Sequence, residues 1–549
     1  MPPEKRLLLV SPNDFATTYG DLRHIAHITG DVGRLLNVAL PTLAALTPPE
    51  IAVRIVDENV EPIDFGERWD VVGITGFPPQ IQRAREIAER FRGAGSLIVC
   101  GGTSASLSPE RWRDVADVLV IGEAERTWPI VCRDILAGRV EPEYRELSRP
   151  DLSLAPLPDY SGYRPEALRR FRGGIVQTSR GCPFACEFCD AIVFAGRKTR
   201  SKPVELILAE LDQLAAMGMR HIYLADDNFG AQRRESKAIL EAIRAWNVRR
   251  ARPMPLLTQL TIDLSEDDEF LRLAAEAGLT RVFIGLETPN TESLLEAKKK
   301  QNVRTDMRVG VRRFQEHGIE VLGGSMVGFD HDDLSIFRRH LEFFTEVGVA
   351  SVQVYPVNAP DGTPLKERMV RAGRYVDWSE SHAAGTKHFS YFNSYTVVPE
   401  RMTVEQLRQG VYWLLWKLYD PRRFADRLGR FFETYERSRV RAELDIPAGG
   451  RGARGPELLW TAWRVLRHDR EGLVLLLRLL RHLAQDGEDG EAAALARVLV
   501  AAARSSHPQR WSLALGDFLT LINTRRMLRA EAPGIERTEY PAPRAEPRA

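Results

Sequence analysis

The sequence predicts an α/β chain in three parts: a doubly wound, flavodoxin-like (Rossmann-like) domain, a partial (β/α)6 barrel of the TIM type, and an α-helical C-terminal region. Three observations predict it. From residue 6 to about 140, short aliphatic runs alternate with amphipathic segments, the signature of a parallel sheet with crossover helices. Six further strand-then-helix repeats fill about the next 200 residues, which fits a partial barrel with its chemistry at the carboxyl ends of the strands. From about residue 400 the strand signals stop and the chain turns rich in Leu, Arg and Trp.

In the first domain, residues 1–145, strands are expected at Leu7–Val10, Val53–Asp57, Val71–Thr75, Leu97–Cys100 and Val118–Ile121. Helical patterns lie around Leu35–Leu46, Ile81–Phe91, Pro109–Val115 and Arg126–Leu136. A doubly wound sheet binds its ligand beyond the carboxyl ends of the strands. The loops there carry Asn13-Asp14, Gly76-Phe77-Pro78-Pro79, Gly101-Gly102-Thr103-Ser104 and Gly122-Glu123. Glycines at such places either admit a ligand close to the backbone or simply make a tight turn.

Pro150, Pro156, Pro158 and Gly162 mark a linker over 146–170, since proline clusters punctuate periodic segments. The barrel, 171–385, begins at Gly174-Ile175-Val176-Gln177-Thr178 and continues with strands at Ile222–Ala225, Leu257–Thr261, Val282–Leu286, Val321–Val327 and Val352–Tyr355. Helices such as Val204–Met217 and Glu269–Ala277 separate them. The helical region, 386–530, has a glycine-rich break at Ala448–Gly452, and residues 531–549, with Pro541, Pro543 and Pro547, have little to bury and are expected to be disordered.

Composition narrows the function. The 549 residues suit roughly three domains of about 150 each. With 44% hydrophobic residues, most of the chain has a core to bury. The 76 basic and 75 acidic residues are interspersed and leave a formal charge of +1, so no nucleic-acid footprint is expected. The apolar run Leu7–Val10 is shorter than the roughly 7–15 residues of a signal-peptide core. Gly472–Leu477, cut by Arg478 and Arg481, falls short of the roughly 20 residues that span a bilayer. The expectation is a cytoplasmic protein without a transmembrane segment.

Five cysteines do not make a disulfide framework in a chain of this size. Three of them stand in Ser179-Arg180-Gly181-Cys182-Pro183-Phe184-Ala185-Cys186-Glu187-Phe188-Cys189, directly after a strand. Three thiolates at this C-x-x-x-C-x-x-C spacing can hold three corners of a [4Fe–4S] cluster and leave the fourth iron open. The alternatives are a three-cysteine zinc site, for which no histidine stands at zinc-finger spacing, or buried thiols without a metal.

The cysteine motif resembles that of the radical S-adenosylmethionine (SAM) enzymes. The resemblance implies a catalytic cluster on Cys182, Cys186 and Cys189, whose open iron chelates the amino and carboxylate groups of SAM and whose electron cleaves it to methionine and a 5′-deoxyadenosyl radical. It implies SAM contacts at Phe188, at Asp226, Asp227 and Asn228 after the second strand, at Glu287 in Gly285-Leu286-Glu287-Thr288, and at Gly323, Gly324 and Ser325 in a small-residue strand. Taken singly, the alternatives are a helix cap for Asp226 or Asp227, a surface residue for Glu287 and core packing for Phe188; jointly, in barrel order behind the cysteines, the matches favour SAM.

The first domain resembles the cobalamin-binding domain of one large radical-SAM subgroup, through Val56–Val60, Gly101-Gly102-Thr103 with Ser108-Pro109-Glu110, and Ile121–Glu125. By that resemblance Gly76, Gly101, Gly102, Thr103, Gly122 and Glu123 line the cobalamin. No D-x-H-x-x-G occurs, and His24 and His27 precede Gly30 without the aspartate, so no axial histidine is named. Asp226–Phe229, Gly285–Asn290, Lys300-Gln301-Asn302, Met402–Leu407 and Leu418–Pro421 are similar to the branch that includes hopanoid C-methylases.

The function so implied is a cobalamin-dependent radical SAM C-methyltransferase. One SAM methylates cobalt; a second yields the radical that removes hydrogen from an unactivated carbon, which then takes methyl from methylcobalamin. Its partners are a small-molecule acceptor, hydrophobic or a secondary-metabolite precursor, and a reducing electron donor. The alternatives are cyclisation or rearrangement without net methylation, and a non-catalytic cobalamin sensor. A methylthiotransferase needs three more cluster cysteines, and only Cys100 and Cys132 remain, both reading as core. The acceptor is expected between the barrel mouth and the first domain, with Lys387–Asn393 either capping it or packing on the barrel. Trp413, Trp416, Trp460 and Trp463 read as core stripes and Arg422–Arg430 as a solvated helix face.

Overall fold

The computed structural model describes residues 4–13, 35–146, 148–171, 173–250, 253–377, 395–438 and 508–535. Two parallel sheets organise them. The first contains β1 (Lys5–Ser11), β3 (Ile51–Asp57), β4 (Val71–Thr75), β5 (Leu97–Gly101), β6 (Val118–Ile121) and β7 (Glu143–Arg145), in the order β3-β1-β4-β5-β6-β7. The chain leaves β1 toward β3 on one side and β4 on the other. Such a reversal opens a crevice at the carboxyl ends of β1 and β4, where doubly wound sheets bind ligands. Apolar side chains cover both faces: Leu7, Leu9 and Val99 on one, Leu8, Val10 and Ile98 on the other.

The expected strands stand, and three local readings are corrected. The segment Leu35–Leu46 is not one helix: Leu35–Leu36 form β2, and the helix starts at Ala39. β2 pairs with the strand Gly173–Val176 of the second sheet, because an open sheet edge offers unpaired backbone that a passing extended segment satisfies. The helix expected at Pro109–Val115 is a single 3-10 turn, Pro109–Arg111, preceded by a short helix, Thr103–Leu107, that rises from the glycine loop. β7 is a sixth strand whose polar sequence, Glu-Tyr-Arg, carries no apolar alternation.

The second sheet holds the six expected barrel strands: β8 (Gly173–Val176), β11 (His221–Leu224), β12 (Leu256–Leu260), β13 (Leu279–Glu287), β14 (Glu320–Val327) and β15 (Val352–Pro356). Its order is β15-β14-β13-β12-β11-β8-β2, parallel throughout. A two-stranded ribbon, β9 (Ser179–Arg180) with β10 (Arg200–Ser201), stands over its carboxyl end and frames the cysteine loop. Alternation along the strands separates an outer face under the helices from a half-buried inner face, as Leu256, Thr258 and Leu260 are buried while Leu257 and Gln259 are not.

C-terminal helices Val404–Leu418, Pro421–Arg437 and Pro508–Glu531 pack on the barrel. Thr403 and Gln406 close a capping box on the first, and Asp420 caps the second. Trp413 is buried as expected. The solvated face expected at Arg422–Arg430 needs correction at Arg427: it is 1% exposed, and its guanidinium donates to the carbonyls of Val349 (2.8 Å) and Ala350 (3.1 Å). These carbonyls end the loop before β15, and a buried arginine satisfies them where no backbone donor reaches. His24, His27, Lys387–Asn393, Trp460, Trp463, Gly472–Leu477 and residues 536–549 lie outside the described residues. Among those described, no helix is long and apolar enough to cross a membrane.

Candidate active site

Cys182, Cys186 and Cys189 sit on the loop that leaves β9, at the carboxyl end of the barrel. Burial pushes the Cys189 thiol up to about 12 and raises that of Cys182, so these two thiols, when free, are protonated at neutral pH. Cationic iron reverses that preference, since a coordinated thiol is deprotonated. Three cysteine sulfurs on one loop are the donor set that a [4Fe–4S] cluster takes at three of its corners. Amide groups back two of the sulfurs: Asn228 Nδ2 donates to Cys182 Sγ and Gln301 Nε2 to Cys186 Sγ, each at 3.8 Å.

Four sets of contacts hold this loop. Asp226, wholly buried, accepts from the backbone N–H groups of Thr178 (2.6 Å) and Ser179 (3.0 Å) through Oδ1, and from both of their hydroxyls through Oδ2. Burial raises its carboxyl to about 6, against the pull of those bonds. Asp227 Oδ2 accepts from Gly181 N at 2.6 Å. Glu187, between the second and third cysteines, pairs with Arg368, which also bonds Glu296 (2.9 Å) and Asp330 (2.5 Å). Arg180 reaches across to the first domain, to Glu123 at 2.5 Å and Glu125 at 2.7 Å, and Arg200 joins Glu123 at 2.6 Å. Burial lowers the basicity of Arg180, but Glu125 and Glu123 outweigh it and keep the charge.

Asp226, read from the sequence as a partner of the SAM ammonium, thus has both oxygens engaged by the strand that feeds the cysteines. Glu123, expected along the cobalamin, has its carboxylate shared between two guanidinium groups. Both side chains position the loop. Neither pairing is visible in sequence, because the partners lie 48 and 57 positions away.

Glu287 ends β13 with φ +59, a left-handed conformation that costs a non-glycine residue about 1–3 kcal/mol. A register shift between Gly285 and Glu287 accompanies it, and Lys299 Nζ holds its carboxylate at 2.7 Å. Burial lowers the basicity of Lys299, yet Glu287 and then the sulfur of Cys186 raise it more, so it stays charged beside the thiols. Its Nζ also lies 5.7 Å from the ring of Phe188, which packs on the small cluster of Phe329, Leu365 and Met369. Lys299, Gln301, Arg180 and Arg368 were not singled out from sequence as site residues; Gln301 and Arg180 stood inside quoted motifs without a role.

The small-residue strand divides by face. A Cβ on Gly324 would press on Phe283 of the neighbouring strand, inside the barrel, whereas one on Gly323 would press on Phe344 of the covering helix. Ser325 shares the outer face and bonds His340 Nδ1 at 2.8 Å. Only Gly324 of the three faces the lumen. In the first domain the glycine loops fill their own space: a Cβ on Gly102 would overlap Thr75 Oγ1, and one on Gly122 the carbonyl oxygen of Glu146, with φ +97 and +99. The turns by themselves require glycine at these two positions. Gly76 lies against Gln80, whose Nε2 donates to Pro12 O at 2.6 Å, and Gly101 against Val120. Thr103 opens the short helix beyond them. Beside Gly76 at the crevice, Phe77 is 59% exposed.

A family model described as the Radical SAM superfamily matches residues 176–344, and one described as a domain of unknown function (DUF4070) matches 363–483. The chain is 30% identical over 447 residues to an uncharacterized methyltransferase of Synechocystis sp., covering 80% of this chain and 81% of that one. It is 30% identical over 382 residues to the hopanoid C-2 methylase of Rhodopseudomonas palustris, covering 68% and 71%. The fold is similar to that of the radical SAM methyltransferase TsrM of Kitasatospora setae, with a TM-score of 0.60 at 17% identity over 77% of this chain and 90% of that chain. Fold, cysteine loop and relatives agree: the chain belongs to the cobalamin-dependent radical SAM methyltransferase family, in the branch that includes the hopanoid C-2 methylase.

Proposed function

We propose that this enzyme transfers a methyl group to an unactivated carbon of a small, largely apolar acceptor, with a [4Fe–4S] cluster, SAM and cobalamin as cofactors. The Arg180 clamp carries the reading. It stands two residues before Cys182 and grips Glu123 and Glu125 at the carboxyl end of β6. The cluster loop and the ligand edge of the first sheet are thereby held against each other, as a reaction shared between two cofactors requires.

When bound, the cluster and cobalamin supply the reductive cleavage of SAM and the carriage of methyl, chemistry beyond any side chain. The chain's part is to hold, orient and exclude water. Cys182, Cys186 and Cys189 would hold the cluster. Phe188, Asp227, Asn228, Glu287 and Gly324 surround the place for SAM, with Asp226, Gly323 and Ser325 supporting from behind. Gly76, Phe77, Gly101 and Thr103 form the edge for cobalamin, with Gly102, Gly122 and Glu123 shaping its loops. The acceptor would enter the lumen, whose half-buried inner positions include Tyr223, Gln259, Phe283, Met326 and Tyr355. Aromatic and thioether surfaces with a few amide and phenol groups favour a largely apolar molecule.

Anaerobic enzyme reconstituted with iron, sulfide and cobalamin tests this. With SAM and a reductant, wild type yields both 5′-deoxyadenosine and S-adenosylhomocysteine, and Cys186→Ala yields no deoxyadenosine. Deoxyadenosine without S-adenosylhomocysteine, in the presence of a turned-over acceptor, favours rearrangement. Absence of both products from cluster-loaded enzyme overturns the proposal.

A further inference from the structure

The motif Lys300-Gln301-Asn302 has no part in the reading above, yet its short helix, Lys300–Arg304, touches two sides of the site. Asn302 Nδ2 donates to the carbonyls of Gly285 (2.9 Å) and Leu286 (3.1 Å), the last two residues before Glu287. Lys299, at its start, pairs with Glu287 itself. Gln301 turns the other way: 4% exposed, it points Nε2 at Cys186 Sγ. Its Oε1 is buried and has no hydrogen-bond partner. Asn228 repeats the arrangement at Cys182, with Nδ2 on the sulfur and Oδ1 buried without a partner.

A buried amide oxygen left without a donor loses its hydration with nothing in return, and two such atoms beside two cluster thiols point to a ligand that brings N–H groups. The α-ammonium group of SAM is such a donor. An N–H directed at a cluster sulfur stabilises the reduced, more negative cluster and raises its potential.

We propose that Gln301 is a positioning residue that joins cluster and SAM: its amide N–H donates to the Cys186 thiolate, and its carbonyl oxygen accepts from the SAM ammonium. The inference rests on the three cysteines holding the cluster. Two substitutions separate its halves. Gln301→Leu removes donor and acceptor; Gln301→Glu keeps an acceptor and removes the donor.

The test is a redox titration followed by electron paramagnetic resonance on cluster-loaded enzyme, with SAM affinity read from the change in that signal as SAM is added. Expected are a more negative midpoint in both variants, about tenfold weaker SAM binding in Gln301→Leu, and near wild-type binding in Gln301→Glu. A cluster-loaded Gln301→Leu enzyme with wild-type midpoint and affinity overturns the proposal. So does loss of iron from both variants with circular dichroism and melting unchanged, which makes Gln301 a scaffold for assembly alone. A wild-type protein that takes up no cluster removes the cluster reading itself, and the inference with it.

Discussion

At the carboxyl edge of the first sheet the loops hold their shape through the backbone, whereas at the mouth of the barrel the cysteine loop is held by buried charge. Gly102 and Gly122 take positive φ, and Thr75 and Glu146 occupy the space beside them. Across the junction, Asp226 and Asp227 tie the cysteine loop to the end of β11, Glu187 ties it to Arg368, and Arg180 ties it to the first domain. The difference matches the tasks. An edge that receives a large preformed ligand needs fixed turns and open surface. A loop that must present three thiols to one inorganic body needs its backbone fixed from several directions, because small misplacements of a reacting centre are costly.

The sharpest way to break the comparison is Gly122→Ala, which sets a methyl group against the Glu146 carbonyl at a left-handed position. The expected loss is about 5 kcal/mol, read as a large fall in the denaturant midpoint; a fall under about 1 kcal/mol would mean that the turn adjusts freely. Next comes Arg180→Met, which leaves Glu123 and Glu125 buried with Arg200 as the remaining cation. About 4 kcal/mol should be lost. Limited proteolysis near the linker should also quicken, if the clamp is what joins the two edges.

Asp226→Asn sharpens the picture through pH. The folded carboxyl titrates at about 6, against an ordinary value of about 3.9. Between those values the folded state keeps a proton that the unfolded chain has lost. The stability contributed by the protonated form is therefore present below about pH 4 and lost as pH rises to about 6, by ~3 kcal/mol. Asn keeps the Oδ1 acceptor and does not titrate, so stability of wild type minus that of the variant should fall across this window and level off above it. A flat difference would place the Asp226 carboxyl at its ordinary value. The smallest effect is at Arg169, whose pair with Glu166 is exposed on both sides. Arg169→Ala should leave the melting temperature unchanged, as surface pairs contribute about 0–1 kcal/mol.

Much of the fold was legible. Short aliphatic runs located the five apolar strands of the first domain and all six of the barrel, because a doubly covered parallel strand is apolar along most of its length. β7 and β2 escaped. Glu143–Arg145 has no apolar pattern to read, and Leu35–Leu36 is extended only because the edge of β8 is there to pair with it. At the site, the cysteine spacing was legible because cluster chemistry demands it. The left-handed Glu287 was not, since nothing in Gly285-Leu286-Glu287-Thr288 signals a positive φ.

By itself the sequence determined the alternation of elements, the three thiols on one loop after a strand, and the glycines that turn the edge of the first sheet. These are local properties, set by side-chain period, ligand spacing and backbone freedom. Only the tertiary structure decided that Asp226 and Glu123 serve the cysteine loop, that Ser325 turns outward to His340, and that Gln301 reaches Cys186. Those outcomes depend on which buried polar groups meet across long separations, and each is settled by the need to satisfy charge and hydrogen bonds away from water.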